Sequence, residues 1–291
     1  MKALGAIHAG LVSMLSIVMR NPILRRETRT RLRGTRTMIV LTTFMAVMTL
    51  AFYISYRIIL SEYRYNPYQL PEAGRYVFVT LVIIECILIM LIAPAFSCAT
   101  ISSERERGTF ELLRTTLLQS NTILVGKLSA SVYFILMLLF SSVPVLSTCM
   151  LLGGLAPQNI VVSVLVLLGT VFFYALVGLF CSVMFRKTAV AAGASYVAVF
   201  LINLLPLGLV VFILIVTQEN IEEFLCIASC STPITNLLET LVPDIRREFD
   251  REIGIYSHFI TWPLYFIMAL VMWRTMNTKL HRELGLHVGK D

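Results

Sequence analysis

Charge is scarce in this sequence. Only 14% of its 291 residues are Asp, Glu, Lys or Arg, 57% are hydrophobic, and the mean hydropathy is +0.82. Soluble domains carry about a quarter charged residues, so the balance excludes an ordinary soluble fold and points to an integral membrane protein. Several chemistries are missing as well. No Gly-x-x-x-x-Gly-Lys-Ser/Thr loop occurs: Gly126-Lys127 is followed by Leu128, and Asn121 stands where the first glycine would be. Without that loop to cradle phosphates, the chain is not expected to hydrolyse nucleotide by itself. There is no His-Glu-x-x-His zinc pattern and no Gly-x-Ser-x-Gly nucleophile elbow. The four histidines, His8, His258, His281 and His287, fall at the ends or the outer edge of the apolar runs, which gives an intramembrane protease little support. The six cysteines show no paired zinc spacing. Cys86, Cys98, Cys149 and Cys181 lie in or beside apolar runs and read as small core residues, and Cys226 and Cys230 are poorly spaced for a disulfide on a helix. No metal, redox or catalytic role is assigned.

What is present is a series of long apolar runs, at 38–60, 76–100, 122–151, 160–185, 189–217 and 257–273. Each approaches or exceeds the roughly 17–25 residues that a spanning helix needs. The expected fold is an all-α integral membrane protein, one transmembrane domain over 1–291 with six spans. Residues 1–37 are expected to form cytoplasmic or interfacial helices. Within them, Asn21-Pro22 reads as a cap with a first-turn proline. The helix that follows carries Arg25, Arg26, Arg29 and Arg33, which suits an anchor in the headgroup zone. Residues 218–256 form the one large external segment, rich in acids and expected to hold short helices before the sixth span. It is short for a domain of independent stability.

Orientation follows from the basic residues. The two ends and the loops on their side hold 18 of the 24 Lys and Arg, and the opposite loops hold 5. Positive residues stay inside, so both termini are placed in the cytoplasm and the protein in the cell (inner or plasma) membrane. The formal charge of +7 is concentrated at membrane edges, where it fits anionic lipid headgroups and not nucleic acid.

Two polar features stand out. Residues 101–118 form a charged, helix-forming stretch between the second and third runs, about five turns by helix geometry. Glu104, Arg107, Glu111 and Arg114 share one face with alternating sign, and Phe110, Leu113 and Leu117 form an apolar stripe on another. This reads either as a solvated loop helix or as a docking surface for a cytoplasmic partner. The second feature is Glu85, the one acid inside a run. At membrane depth such a group faces a bundle interior or a wet cavity. It is a candidate for the transport path, or it pairs with a neighbouring polar group or with Arg57. Asn203, near Pro206 in the fifth run, is a weaker candidate of the same kind and signals a kink with local polarity.

Three segments together resemble the permease subunits of ABC-2 type transporters. Ser103-Glu104-Arg105-Glu106-Arg107-Gly108-Thr109-Phe110-Glu111-Leu112-Leu113 looks like that family's Glu-x-Glu-x-Gly-Thr-Leu-Glu-x-Leu-Leu signature, with Gly126-Lys127 downstream. Asn21-Pro22-Ile23-Leu24-Arg25-Arg26-Glu27 is similar to the amphipathic elbow helix before the first span, and Phe185-Arg186-Lys187-Thr188-Ala189 to the tight turn between spans four and five. Thr115-Thr116-Leu117 departs from the Thr-Pro-Leu of many members. The resemblance implies that 101–118 include a coupling helix touching a separate ATPase through Glu104, Arg105, Glu106, Arg107, Gly108, Thr109 and Glu111. It implies an exporter with two ATPase subunits, which bind the ATP and Mg, and a second permease subunit, identical or not. Gly108 would be the flexible joint between span and docking helix. The alternative is a stand-alone ion-coupled carrier or a membrane enzyme of unrecognised type using Glu85.

Overall fold

In a computed structural model of the full chain, residues 34–63, 73–110, 120–153, 155, 157–217 and 251–283 are described. They form six helices: α1 (Thr35–Tyr63), α2 (Ala73–Glu106), α3 (Ser120–Leu151), α4 (Pro157–Met184), α5 (Thr188–Thr217) and α6 (Arg251–Glu283). No strand occurs among the described residues. Helices α1 to α4 are long and apolar enough to cross a membrane, and the start of α5, Thr188–Leu204, is a further apolar helix. Inside lipid every backbone N–H and C=O must be satisfied within the segment, so a run of apolar residues settles as helix. The elbow helix with Arg25, Arg26, Arg29 and Arg33, residues 111–118 with Glu111, and the external stretch 218–250 lie outside the described residues.

Each of the six apolar runs is taken up by one helix, with two corrections at the ends. Residues 251–256, expected in the external segment, are the first turns of α6, which continues past 273 to Glu283. The charged stretch 101–118 is not one helix. Its first six residues belong to α2, and the chain turns at Arg107, Gly108 and Thr109. The length of α2 supplies a reason. Its 34 residues make about 51 Å at about 1.5 Å each, against about 30 Å of hydrocarbon. The charged end is carried beyond the apolar layer as an extension of the span.

Helix α2 is central and packs against α1, α3, α4 and α5, while α4 touches α2, α3, α5 and α6. The α2–α4 contact is close because Gly178 on α4 has no side chain. A Cβ there would lie 2.0 Å from Ser97 Oγ and 3.1 Å from both Cα and O of Pro94 on α2. Helices in lipid associate through such small-residue contacts, since apolar side chains gain little by leaving lipid tails. The core between these helices includes Phe78, Leu81, Phe134, Leu138, Val171 and Tyr174, all buried. Pro94 sits inside α2, and Tyr196 Oη on α5 donates to Leu91 O at 2.9 Å, one turn before the proline.

Candidate functional site

The charged residues of the sequence signature gather at the end of the bundle where α2, α4 and α6 finish and α3 and α5 begin. Gly108 stops α2. Its φ is 70°, the left-handed region that a side chain disfavours. Gly108 N–H donates to Arg105 O at 3.2 Å and Thr109 N–H to Glu104 O at 3.0 Å. This pair of bonds is the Schellman pattern, which satisfies the last carbonyls of a helix. Gly108 is therefore the capped end of α2, at the position where the joint between span and docking segment was expected. The apparent stripe of Glu104, Arg107, Glu111 and Arg114 assumed a helix running through this glycine. In the structure Glu104 belongs to α2 and Arg107 to the turn.

The three charges before the turn are engaged within the chain. Glu104 Oε1 accepts from Lys127 Nζ on α3 at 2.6 Å, and Lys127 also donates to Thr100 O at 3.0 Å. Lys127 is only 1% exposed, so its ammonium depends on these partners. Arg105 forms an ion pair with Glu283 on α6 and donates to Val183 O at the end of α4, 2.9 Å away. Its guanidinium also lies 5.2 Å from the centre of the Phe110 ring. Glu106 takes the opposite role at the start of α5. Its Oε1 accepts the Thr188 N–H at 2.8 Å, and its Oε2 accepts the Thr188 hydroxyl. The first N–H groups of a helix have no partner inside it, and a carboxylate there is favoured by the helix dipole. Beyond these three, Arg107, Gly108 and Thr109 are exposed.

A second set of bonds pins the α2 extension to α4. Ser182 Oγ accepts from two consecutive backbone N–H groups, Ile101 at 2.8 Å and Ser102 at 3.0 Å. Ser97 O and Cys98 O, four residues before them, accept from Thr100 Oγ1 at 2.7 Å and Ser102 Oγ at 2.8 Å. A side chain that inserts into the helix ladder in this way is a recognised cause of local bending. Lys279 on α6 donates to Met184 O at 2.8 Å, and Ser120 Oγ on α3 donates to Asn277 Oδ1 at 2.6 Å. The ends of five helices are thus tied to one another around Glu104, Arg105 and Glu106. Lys127, Thr188, Ser182 and Glu283 are parts of this arrangement that the sequence did not single out as site residues. A lysine inside an apolar run was the available signal for the first.

Glu85 and Asn203 lie apart from this end, inside the bundle. Glu85 is fully buried and accepts from Ser142 Oγ on α3, while its Oε2 has no hydrogen-bond partner among the described residues. Arg57, the partner weighed for it from sequence, is exposed on α1. Asn203 Oδ1 accepts from Tyr174 Oη on α4 at 3.0 Å, and its amide donates to Val199 O at 2.7 Å. Helix α5 continues through Pro206. Among the described residues no three His, Cys, Asp or Glu side chains come together as a metal-binding group.

No curated protein matched the chain in the comparison. Residues 21–273 match the family described as "ABC-2 family transporter protein". That match covers most of the chain, including residues 101–110 and the start of α5, and the chain belongs to the ABC-2 transporter family.

Proposed function

We propose that this chain is the transport-path subunit of an ATP-driven exporter, working as a pair of permease subunits with two separate ATPase subunits that bind the ATP and Mg. The observation that carries this reading is the exposed turn Arg107-Gly108-Thr109, held at the end of a helix too long for the membrane and tied to four other helices. A family member that lacks a phosphate-binding loop of its own needs a motor, and a rigid projection is where one would act. The excess of basic residues on one side supports six spans with both termini and the turn in the cytoplasm of a cell (inner or plasma) membrane. Arg25, Arg26, Arg29 and Arg33 are read as the anchor of the elbow helix at that surface. Contact with the ATPase is assigned to Arg107, Gly108, Thr109 and Glu111, with Glu104, Arg105 and Glu106 behind them. Closure of the ATPases on ATP moves the turn, and the helices fastened to it tilt. Glu85, held through one oxygen by Ser142, and Asn203, bonded to Tyr174, are read as fastenings of the bundle interior.

The test is charge reversal at the exposed turn. Exposed ion pairs contribute about 0–1 kcal/mol each, so neutral changes weaken the contact only slightly. Like charges set against each other across an interface cost several kcal/mol. The double variant Arg107→Glu with Glu111→Lys should still insert and fold, yet lose co-purification with the ATPase and stimulated ATP hydrolysis. Persistence of both at the parental level would show that the turn is not the docking site.

A further inference from the structure

Glu106 was grouped from sequence with the residues that meet an ATPase, but its carboxylate is already committed. Both oxygens are turned to Thr188, one to the backbone N–H at 2.8 Å and one to the hydroxyl. Lys187 O accepts the first helical bond of α5, from Ala191 N at 2.9 Å, so Thr188 is the first residue of the helix proper. Its N–H has no partner inside the helix, and Glu106 supplies one. The neighbouring Arg105 grips the other side of the same turn, donating to Val183 O, and Ser182 Oγ holds the α2 backbone one turn earlier. The turn 185–187 between α4 and α5 is thus clasped on both sides by consecutive residues of α2.

We infer that Glu106 and Arg105 are positioning residues that fasten the α4–α5 turn to the end of α2, with Glu106 passing displacement of the 107–109 turn directly to α5. This rests on the reading that an ATPase acts at that turn, and it gives Glu106 a task other than docking. Arg105 reaches α4, the turn and α6 through Val183 O, Phe185 O and the Glu283 carboxylate, and Glu106 holds α5 through two bonds to its first residue. All of these are charge-assisted, the stronger class of hydrogen bond, and Glu106 is the residue that carries them from the end of α2 to α5.

Two measurements decide it. The first uses the purified full-length chain alone. Glu106→Ala should raise the amide hydrogen-exchange rate at Thr188 by about tenfold, the factor expected for one lost charge-assisted bond, and Glu106→Gln should restore much of the protection. Because Glu106 is exposed, the variant leaves no buried group unpaired and should fold. Unchanged exchange at Thr188 overturns the fastening. The second uses the complex with the ATPase that co-purifies. Spin labels at Met38→Cys on α1 and Val190→Cys on α5, both exposed positions, report the distance between those helices with and without ATP and vanadate. The expected result is that Glu106→Ala keeps the ATPase bound and ATP hydrolysed but loses most of the ATP-driven distance change. In a chain cleared of its other cysteines, an oxidised Glu106→Cys/Thr188→Cys pair should permit transport that reduction abolishes. Loss of ATPase binding in Glu106→Ala would make Glu106 a docking contact and overturn the relay. So would an undiminished distance change. If the parent chain captures no ATPase, the functional reading fails and takes the relay with it, while the exchange rate at Thr188 still decides the fastening.

Discussion

Replacing Gly178 by alanine adds one methyl group at the tightest contact between α2 and α4. The added Cβ would sit 2.0 Å from Ser97 Oγ and 3.1 Å from Pro94 Cα and O. Something must give. The serine hydroxyl can rotate away, but it donates to Ala93 O at 2.7 Å, and losing such a bond costs about 0.5–1.5 kcal/mol. The Pro94 backbone cannot rotate, so the helices must also part slightly, and overpacking of this sort costs about 1–3 kcal/mol. Alanine returns about 1 kcal/mol through its better helix propensity. The net expectation is a loss of about 1–3 kcal/mol for Gly178→Ala, with Gly178→Leu failing to assemble a folded bundle. Gly193 on α5 is the control, because a Cβ there meets nothing within 4 Å. Gly193→Ala should be neutral or more stable by about 0.5–1 kcal/mol. Unfolding of the purified protein in mild detergent, titrated with a denaturing detergent, gives the comparison. Adding Ser97→Ala to Gly178→Ala should recover part of the loss, since the nearest atom is gone. If Gly178→Ala tracks Gly193→Ala, α2 and α4 do not meet as described.

Other expectations follow from single contacts. Glu104→Lys places a second cation against the buried Lys127 and should destabilise the chain by at least about 3 kcal/mol, and adding Lys127→Glu should restore much of it in the same assay. Gly108→Ala forces a side chain into the left-handed region at a cost of about 1–2 kcal/mol, with Gly108→Asn milder, read from thermal unfolding. Ser142→Ala removes the hydrogen bond donated to the buried Glu85 and should cost about 1–3 kcal/mol, whereas Glu85→Gln keeps an acceptor and should leave folding and transport near normal. Loss of transport by Glu85→Gln with assembly intact would instead put Glu85 on the path. In intact cells an impermeant thiol reagent should mark Thr240→Cys and spare Thr115→Cys in a chain cleared of native cysteines. The reverse pattern would invert the topology.

The helices were legible because lipid leaves an apolar segment little choice. With no water to satisfy backbone groups, a run such as 122–151 or 160–185 becomes helix whatever its neighbours do. Family membership was legible for a related reason: the strings that resemble the family, 103–113 among them, are local and readable without knowing what they touch. The break in 101–118 was not legible, because glycines such as Gly126 and Gly178 lie within helices, and charge periodicity on both sides of Gly108 suggested continuity.

The partners of the signature were decided by tertiary structure alone. Periodicity showed Glu104, Arg105 and Glu106 as surface charges, because a helical wheel counts only the helix's own neighbours. Their partners, Lys127, Glu283 and Thr188, lie 23, 178 and 82 residues away along the chain. Which of them meet depends on how α2, α3, α4, α5 and α6 pack, and that packing turns on contacts as small as the missing side chain of Gly178. The same holds for Glu85. Its sequence required some polar neighbour at membrane depth, but only the crossing of α2 with α3 selected Ser142 over Arg57. Sequence alone determines that the apolar runs become helices, because the demand of lipid on the backbone is settled within each segment. A buried charge is settled by whatever the fold brings within about 3 Å of it, the reach of a hydrogen bond.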